Sequence, residues 1–271
     1  MKTTTCAKVN LGLHVTERRP DGYHNLETVF YPIPICDTLE ISTDSEDHLS
    51  VEGIPVAGDP NDNLVMKVVY LLRNKGFAVP PLSIRLQKNI PSGAGLGGGS
   101  SDAAAMMKML NTEFHLGLSE TEMEELLTPL GADCPFFVRC SPVLATGIGN
   151  IFSPLSLSLK GKHLLLVKPD DFVSTREAYQ GITPRQPETP LAEVISRPVE
   201  EWQHILVNDF ERSVFPQHPT IAAIKQRMID FGAQYAAMSG SGSSVFGLYS
   251  TPPSPDMLRA FAPHFVFTAP M

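Results

Sequence analysis

Residues 91–105 read Pro-Ser-Gly-Ala-Gly-Leu-Gly-Gly-Gly-Ser-Ser-Asp-Ala-Ala-Ala, with five glycines inside seven positions. Glycine lets the backbone turn successive N–H groups onto one anion, and Ser-Ser-Asp ahead of an alanine run is how a capped helix begins. A helix N-terminus with bare amides favours phosphate. The stretch is therefore expected to be a nucleotide-phosphate loop entering a helix. The strand feeding it is visible upstream, where Leu82, Ile84 and Leu86 alternate with Ser83, Arg85 and Gln87.

Three familiar phosphate loops can be tested against this pattern. Gly93, Gly95 and Gly98 satisfy G-x-G-x-x-G, but a dinucleotide fold needs a second parallel strand ending in an acidic ribose ligand after the helix. Here a second helix follows, opened by a capping box of Ser119 with Glu122 and closed by Gly131. A Walker loop is excluded because no Lys-Ser or Lys-Thr follows the glycines. Protein-kinase usage is excluded by the lack of His-Arg-Asp and Asp-Phe-Gly. The loop thus has no internal lysine, and its cation must come from elsewhere in the chain.

The remainder alternates strands and helices in an α/β pattern, with a domain change near residues 156–162, giving domains 1–157 and 158–271. Residues 8–15 alternate so that Lys8 and Asn10 share the polar face of a strand, which by pattern alone also suits a solvated edge. Arg18-Arg19-Pro-Asp-Gly22 is turn chemistry before an extended run from Tyr23 to Phe30. Asn61 or Asp62 is the expected cap of a helix bearing Leu64, Val68 and Leu72, and Ser174 with Glu177 forms another capping box. Segment 183–190 is Pro-rich and expected to be an irregular surface loop. Residues 235–249 read as strand, small-residue turn, strand.

A formal charge of −8 disfavours nucleic acid and anionic membranes as partners, since both reward a basic face. Cys6, Cys36, Cys134 and Cys140 form no C-x-x-C pair and are expected to be free thiols in a cytoplasmic protein. No apolar run is long enough to span a membrane.

Residues 91–105 resemble the central motif of the GHMP kinases (galactokinase, homoserine kinase, mevalonate kinase and phosphomevalonate kinase). Lys8-Val-Asn-Leu-Gly-Leu13 resembles their N-terminal motif and Met238-Ser-Gly-Ser-Gly-Ser-Ser-Val245 their C-terminal glycine motif. Arg19-Pro-Asp-Gly-Tyr-His24, Leu130-Gly-Ala-Asp-Cys-Pro-Phe136 and Asn208-Asp-Phe-Glu211 are similar to the branch acting on 4-diphosphocytidyl-2-C-methyl-D-erythritol, in non-mevalonate isoprenoid synthesis.

The resemblance implies a two-domain α+β GHMP kinase fold, with ATP and the small-molecule acceptor meeting in the cleft between the domains. Asp133 matches the catalytic carboxylate, although the residues themselves also suit an N-cap for a short helix starting at Cys134. Lys8 matches the catalytic lysine, which would stabilise charge on the hydroxyl and the phosphoryl group. Pro91, Ser92, Gly93, Ala94, Gly95, Leu96, Gly97, Gly98, Gly99, Ser100 and Ser101 would wrap the ATP phosphates, and a hydroxyl of Ser100 or Ser101 would reach a phosphate or Mg²⁺. Asp102 is either a group behind the metal or a first-turn helix residue answering the macrodipole. Asn10 would hydrogen-bond the acceptor, while Tyr23, His24 and Tyr179 would hold the cytosine. The turn at Ser239 would close over the site.

Overall fold

Alternation in the sequence becomes burial in the computed structural model, which describes residues 1–56, 59 and 62–271. Strands run over Lys2–Thr4 (β1), Ala7–Arg18 (β2), His24–Ile33 (β3), Thr38–Thr43 (β4), His48–Gly53 (β5), Leu82–Lys88 (β6), Val143–Thr146 (β7), Ile151–Pro154 (β8), His163–Lys168 (β9), Tyr235–Met238 (β10), Val245–Tyr249 (β11) and Phe265–Pro270 (β12). Helices cover Leu64–Asn74 (α1), Gly98–Glu113 (α2), Glu120–Leu127 (α3), Phe136–Arg139 (α4), Thr175–Tyr179 (α5), Leu191–Ile195 (α6), Glu211–Val214 (α7), Pro219–Asp230 (α8) and Pro255–Arg259 (α9). The chain forms two compact units that interleave in sequence.

The first unit comprises Met1–Lys8, Ile35–Ser92 and Gly97–Ser141. Its sheet has the order β1-β4-β6-β5, antiparallel except for the β5–β6 pair. Leu82, Ile84 and Leu86 bury one face of β6, while Arg85 on the other side is exposed. Helices α1 and α2 pack together, and the alanines at 103–105, all buried, let the backbones approach closely. The α1 cap is Asn63, whose Oδ1 accepts from Val65 N at 3.0 Å. Of the two residues expected there, Asp62 does not cap, and Asn61 lies outside the described residues.

Two further expectations are corrected in this unit. Helix α2 starts at Gly98 behind a left-handed Gly97 with no side-chain cap, so Ser100, Ser101 and Asp102 lie inside the helix rather than ahead of it. The glycines alone turn the chain, and the first-turn amides stay bare. Cys6 and Cys140 are not free thiols but a disulfide across 134 positions, with Cα atoms 7.8 Å apart. Cys6 ends the β1–β2 connection and Cys140 is the left-handed C-cap of α4, a juxtaposition no local spacing announces. Cys36 and Cys134 are free.

The second unit comprises Val9–Pro34, Gly93–Leu96 and Pro142–Met271. It holds a β2-β3-β7-β8 sheet and an antiparallel β10-β11-β9-β12 sheet. The second sheet is buried along β9 from Leu164 to Val167 and packs on α8 through Ile221, Ile224 and Met228. Segment 183–190 has no regular structure, as its prolines dictate. Ser174 caps α5 by accepting from Glu177 N at 3.1 Å. The reciprocal bond of a capping box is replaced, because Glu177 Oε1 lies 2.7 Å from His218 Nε2.

Candidate active site

In the first unit, Lys8 comes off β2 into the interior and places Nζ 3.3 Å from Asp133 Oδ2. The ammonium is almost wholly covered and the carboxylate about a third exposed, at 4% and 32%. Asp133 is not an N-cap. It sits in a turn closed by Cys134 N donating to Gly131 O at 3.0 Å, and α4 begins only at Phe136. Gly97 explains how the loop fits over this pair: at φ +70°, a Cβ there would lie 2.8 Å from the Phe137 ring and 3.4 Å from Lys8 Cε. Only glycine admits both the turn and the contact.

Ser101 faces inward, its Oγ accepting from Cys6 N at 3.1 Å. Ser100 is only half-buried and bonds toward Cys134, whose thiol is pushed up to about 11 by burial in spite of that bond. Asp102 is neither in the first helical turn nor exposed: its Oδ2 accepts from Lys88 Nζ at 2.7 Å. The same ammonium bonds Asp37, which also accepts from Ile90 N at 2.8 Å. Asp102 Oδ1 is buried with no hydrogen-bond partner among the described residues. Burial raises the Asp102 carboxyl to about 7, with Lys88 opposing and Asp37 adding to the rise. A cavity of about 420 Å³ opens beside this cluster, lined by Leu49, Val51, Asn63, Leu64, Leu86, Lys88, Ser92 and Gly99 among others.

In the second unit, the glycine turn and the Gly93–Leu96 part of the loop are built against one another. Ser239 Oγ accepts from Asn10 N at 3.3 Å and donates to Gly95 O at 2.9 Å. Asn10 Nδ2 donates to Thr28 Oγ1 at 3.0 Å, which fixes the amide's orientation. Asn208 Nδ2 donates to the carbonyls of Met238 and Gly240, each at 2.8 Å, bracing the turn from both sides of Ser239. His24 stacks on Tyr179 at 4.7 Å with 19° between the rings, and Tyr179 meets Phe210 edge-on at 4.8 Å. Tyr23 joins neither ring. It is 62% exposed, and its amide donates to Asp21 Oδ1 at 3.1 Å.

The structure brings together Lys8 with Asp133 and His24 with Tyr179, and it leaves Tyr23 apart from the stack. The sequence reading does not single out Phe137, Thr28 or Lys88. Asn208 lay in a quoted motif without a role, and its two carbonyl bonds now give it one. Among the described residues, no group of three or more His, Cys, Asp or Glu is placed to hold a metal, and no helix is long and apolar enough to cross a membrane.

Residues 63–140 match the GHMP kinases N terminal domain and residues 191–265 the GHMP kinases C terminal domain. The 4-diphosphocytidyl-2-C-methyl-D-erythritol kinase of Bacteroides thetaiotaomicron is 58% identical over 253 residues, 92% of each chain. That of Porphyromonas gingivalis is 52% identical over 254 residues, again 92% of each. A crystal structure of 4-(cytidine 5'-diphospho)-2C-methyl-D-erythritol kinase superposes with a TM-score of 0.82 at 31% identity, covering all of both chains. The Methanococcus jannaschii mevalonate kinase gives 0.73 at 15% identity, over 100% of this chain and 98% of that one, a likeness of fold alone.

Proposed function

Since the chain belongs to the 4-diphosphocytidyl-2-C-methyl-D-erythritol kinases of the GHMP superfamily, we propose that it moves the γ-phosphoryl group of ATP onto the 2-hydroxyl of that cytidine-linked acceptor. The reading is carried by identity running through nearly the whole chain, and the Lys8–Asp133 pair is the geometry that agrees with it.

In this reading Asp133 takes the proton of the hydroxyl as its oxygen attacks the γ-phosphorus. The new O–P bond forms as the bond to the bridging oxygen breaks and ADP leaves. Lys8 offers its ammonium to the charge that develops on the transferring oxygens. The loop from Pro91 to Ser101 holds the triphosphate by its amides, α2 lending the N-terminal end of its dipole. The cavity beside Asn63 and Ser92 takes the adenine, its apolar β5 and β6 walls suiting a flat ring. Asn10 hydrogen-bonds the acceptor, and the cytosine is held by His24 and Tyr179, with Tyr23 on the exposed side.

Magnesium fits as an ion that enters on the phosphates, because it keeps most of its ligands from phosphate and water. Ser100 is the loop hydroxyl available to it, Ser101 being turned inward. When bound, the ion neutralises charge on the phosphates. The experiment is an ATP-consumption assay with the cytidine acceptor beside mevalonate, homoserine and galactose. Turnover confined to the cytidine acceptor is expected, and equal or greater turnover with any of the others would overturn the reading.

A further inference from the structure

In the second unit, a cavity of about 340 Å³ is lined by Arg185, Arg197, Arg212, His14 and His204, with Glu188 as the one carboxylate among its described lining residues. The five basic groups come from five places: segment 183–190, the residue pair after α6, the first turn of α7, β2 and the turn Val199–His204. Convergence of this kind in a chain of net charge −8 runs against the overall balance. Arg197 is tied to Glu193 Oε1 at 3.1 Å. Arg185 and Arg212 make no side-chain hydrogen bond or ion pair among the described residues, although the charge of Arg212 is felt by Asp209. Guanidinium charges gathered on one small cavity repel unless an anion lies among them.

The floor of the cavity is His14, only 7% exposed. Its Nδ1 faces Asp209 Oδ2 at 3.7 Å, and that oxygen already accepts from Val15 N at 3.0 Å. Nε2 has no protein partner among the described residues. With one ring nitrogen turned to a carboxylate, the other is left for a hydrogen-bond partner that enters the cavity. Two guanidinium forks lining the same cavity suit the oxygens of a phosphate, which arginine binds through paired N–H groups. The volume lies within the range of small-molecule sites.

We propose that this cavity is a second anion site, built to take the phosphate or diphosphate group of a small molecule between Arg185, Arg212 and His14. It gives the Pro-rich segment a purpose: the segment carries Arg185 to the cavity, and its backbone is pinned there by Arg185 N donating to Val15 O at 2.9 Å.

The test is calorimetric titration of the whole chain with inorganic pyrophosphate and, in parallel, inorganic phosphate, with the imidazole resonances of His14 followed by NMR. Two equivalents of pyrophosphate are expected, one on the glycine loop and one here, with His14 Nε2 shifting during the titration. The Arg185→Gln/Arg212→Gln variant should retain one equivalent and lose the His14 shift. Each single variant should bind at this cavity at least threefold more weakly, which decides the matter should the double variant misfold. One equivalent in the wild type and none in the double variant leaves this site standing and removes the loop. One equivalent in both, or an unmoved His14, overturns the proposal.

Discussion

Lys8 Nζ lies 3.3 Å from Asp133 Oδ2, a buried cation against a partly open carboxylate. If the pair performs the transfer, Asp133→Asn removes the proton acceptor and Lys8→Met removes the cation, while both nearly keep the shape. Each should lower kcat by about 10³-fold, within the usual range for losing a positioned acid–base group. Single-turnover phosphoryl transfer in variants that melt normally is the measurement. Near-wild-type rates in either variant would dismiss that residue from the mechanism.

Gly95 and Gly22 separate strain from collision. Both have positive φ, +73° and +87°, but an added Cβ at Gly95 would sit 2.0 Å from Ser239 O, whereas nothing lies within 4 Å at Gly22. Gly22→Ala should cost about 1–2 kcal/mol, the left-handed penalty alone, and leave the KM for ATP unchanged. Gly95→Ala must also displace a backbone carbonyl held in the glycine turn, so it should cost more and raise the KM for ATP. Denaturant melts and ATP kinetics on the two variants check this. Equal effects would show that the loop yields freely.

The loop, its flanking strand and helix, and the Lys8 and Asn10 face of β2 were legible because period and glycine spacing are local signals. The Cys6–Cys140 bond and the Lys88–Asp37–Asp102 cluster were not, because Cys6 reaches Cys140 across 134 positions and Lys88 reaches Asp37 across 51, meetings made only in the packed unit. The start of α2 was misread for a different reason. Ser100 and Ser101 have cap chemistry, but the left-handed Gly97 had already begun the helix, which turned Ser101 toward Cys6 and left Ser100 facing Cys134. Tyr23 stands exposed, apart from the His24–Tyr179 stack, an orientation that the motif does not encode.

His218 should make α5 sensitive to pH. Its ring bonds Glu177 Oε1 at 2.7 Å and faces Asp171 Oδ1 at 3.4 Å, and Glu177 chiefly, then Asp171, raises its pKa above the ordinary 6.5 in spite of partial burial. A raised histidine stabilises the fold fully below pH 6.5, and that contribution is lost as pH climbs through the raised value. Tyr179 lies two residues beyond Glu177 on the same short helix. The KM for the cytidine acceptor should therefore rise across that window in the wild type and stay flat in His218→Gln. Parallel profiles for the two proteins would separate His218 from the Tyr179 stack.

The Lys88 cluster should lose stability with rising pH, in the opposite sense to a surface carboxylate. Two buried carboxylates share one ammonium, and the arrangement is neutral only when one of them keeps its proton; Asp102, at about 7, is that one. Between about pH 4 and 7 the folded chain then holds a proton that the unfolded chain has released, so stability falls as pH rises through the window and levels off above it. Asp102→Asn cannot titrate and keeps the Lys88–Asp37 pair. The wild type's advantage over this variant should shrink from pH 5 to pH 8, read from urea midpoints at the two values. An advantage that grows with pH would mean that Asp102 is ionised in the fold and that Lys88 outweighs its burial.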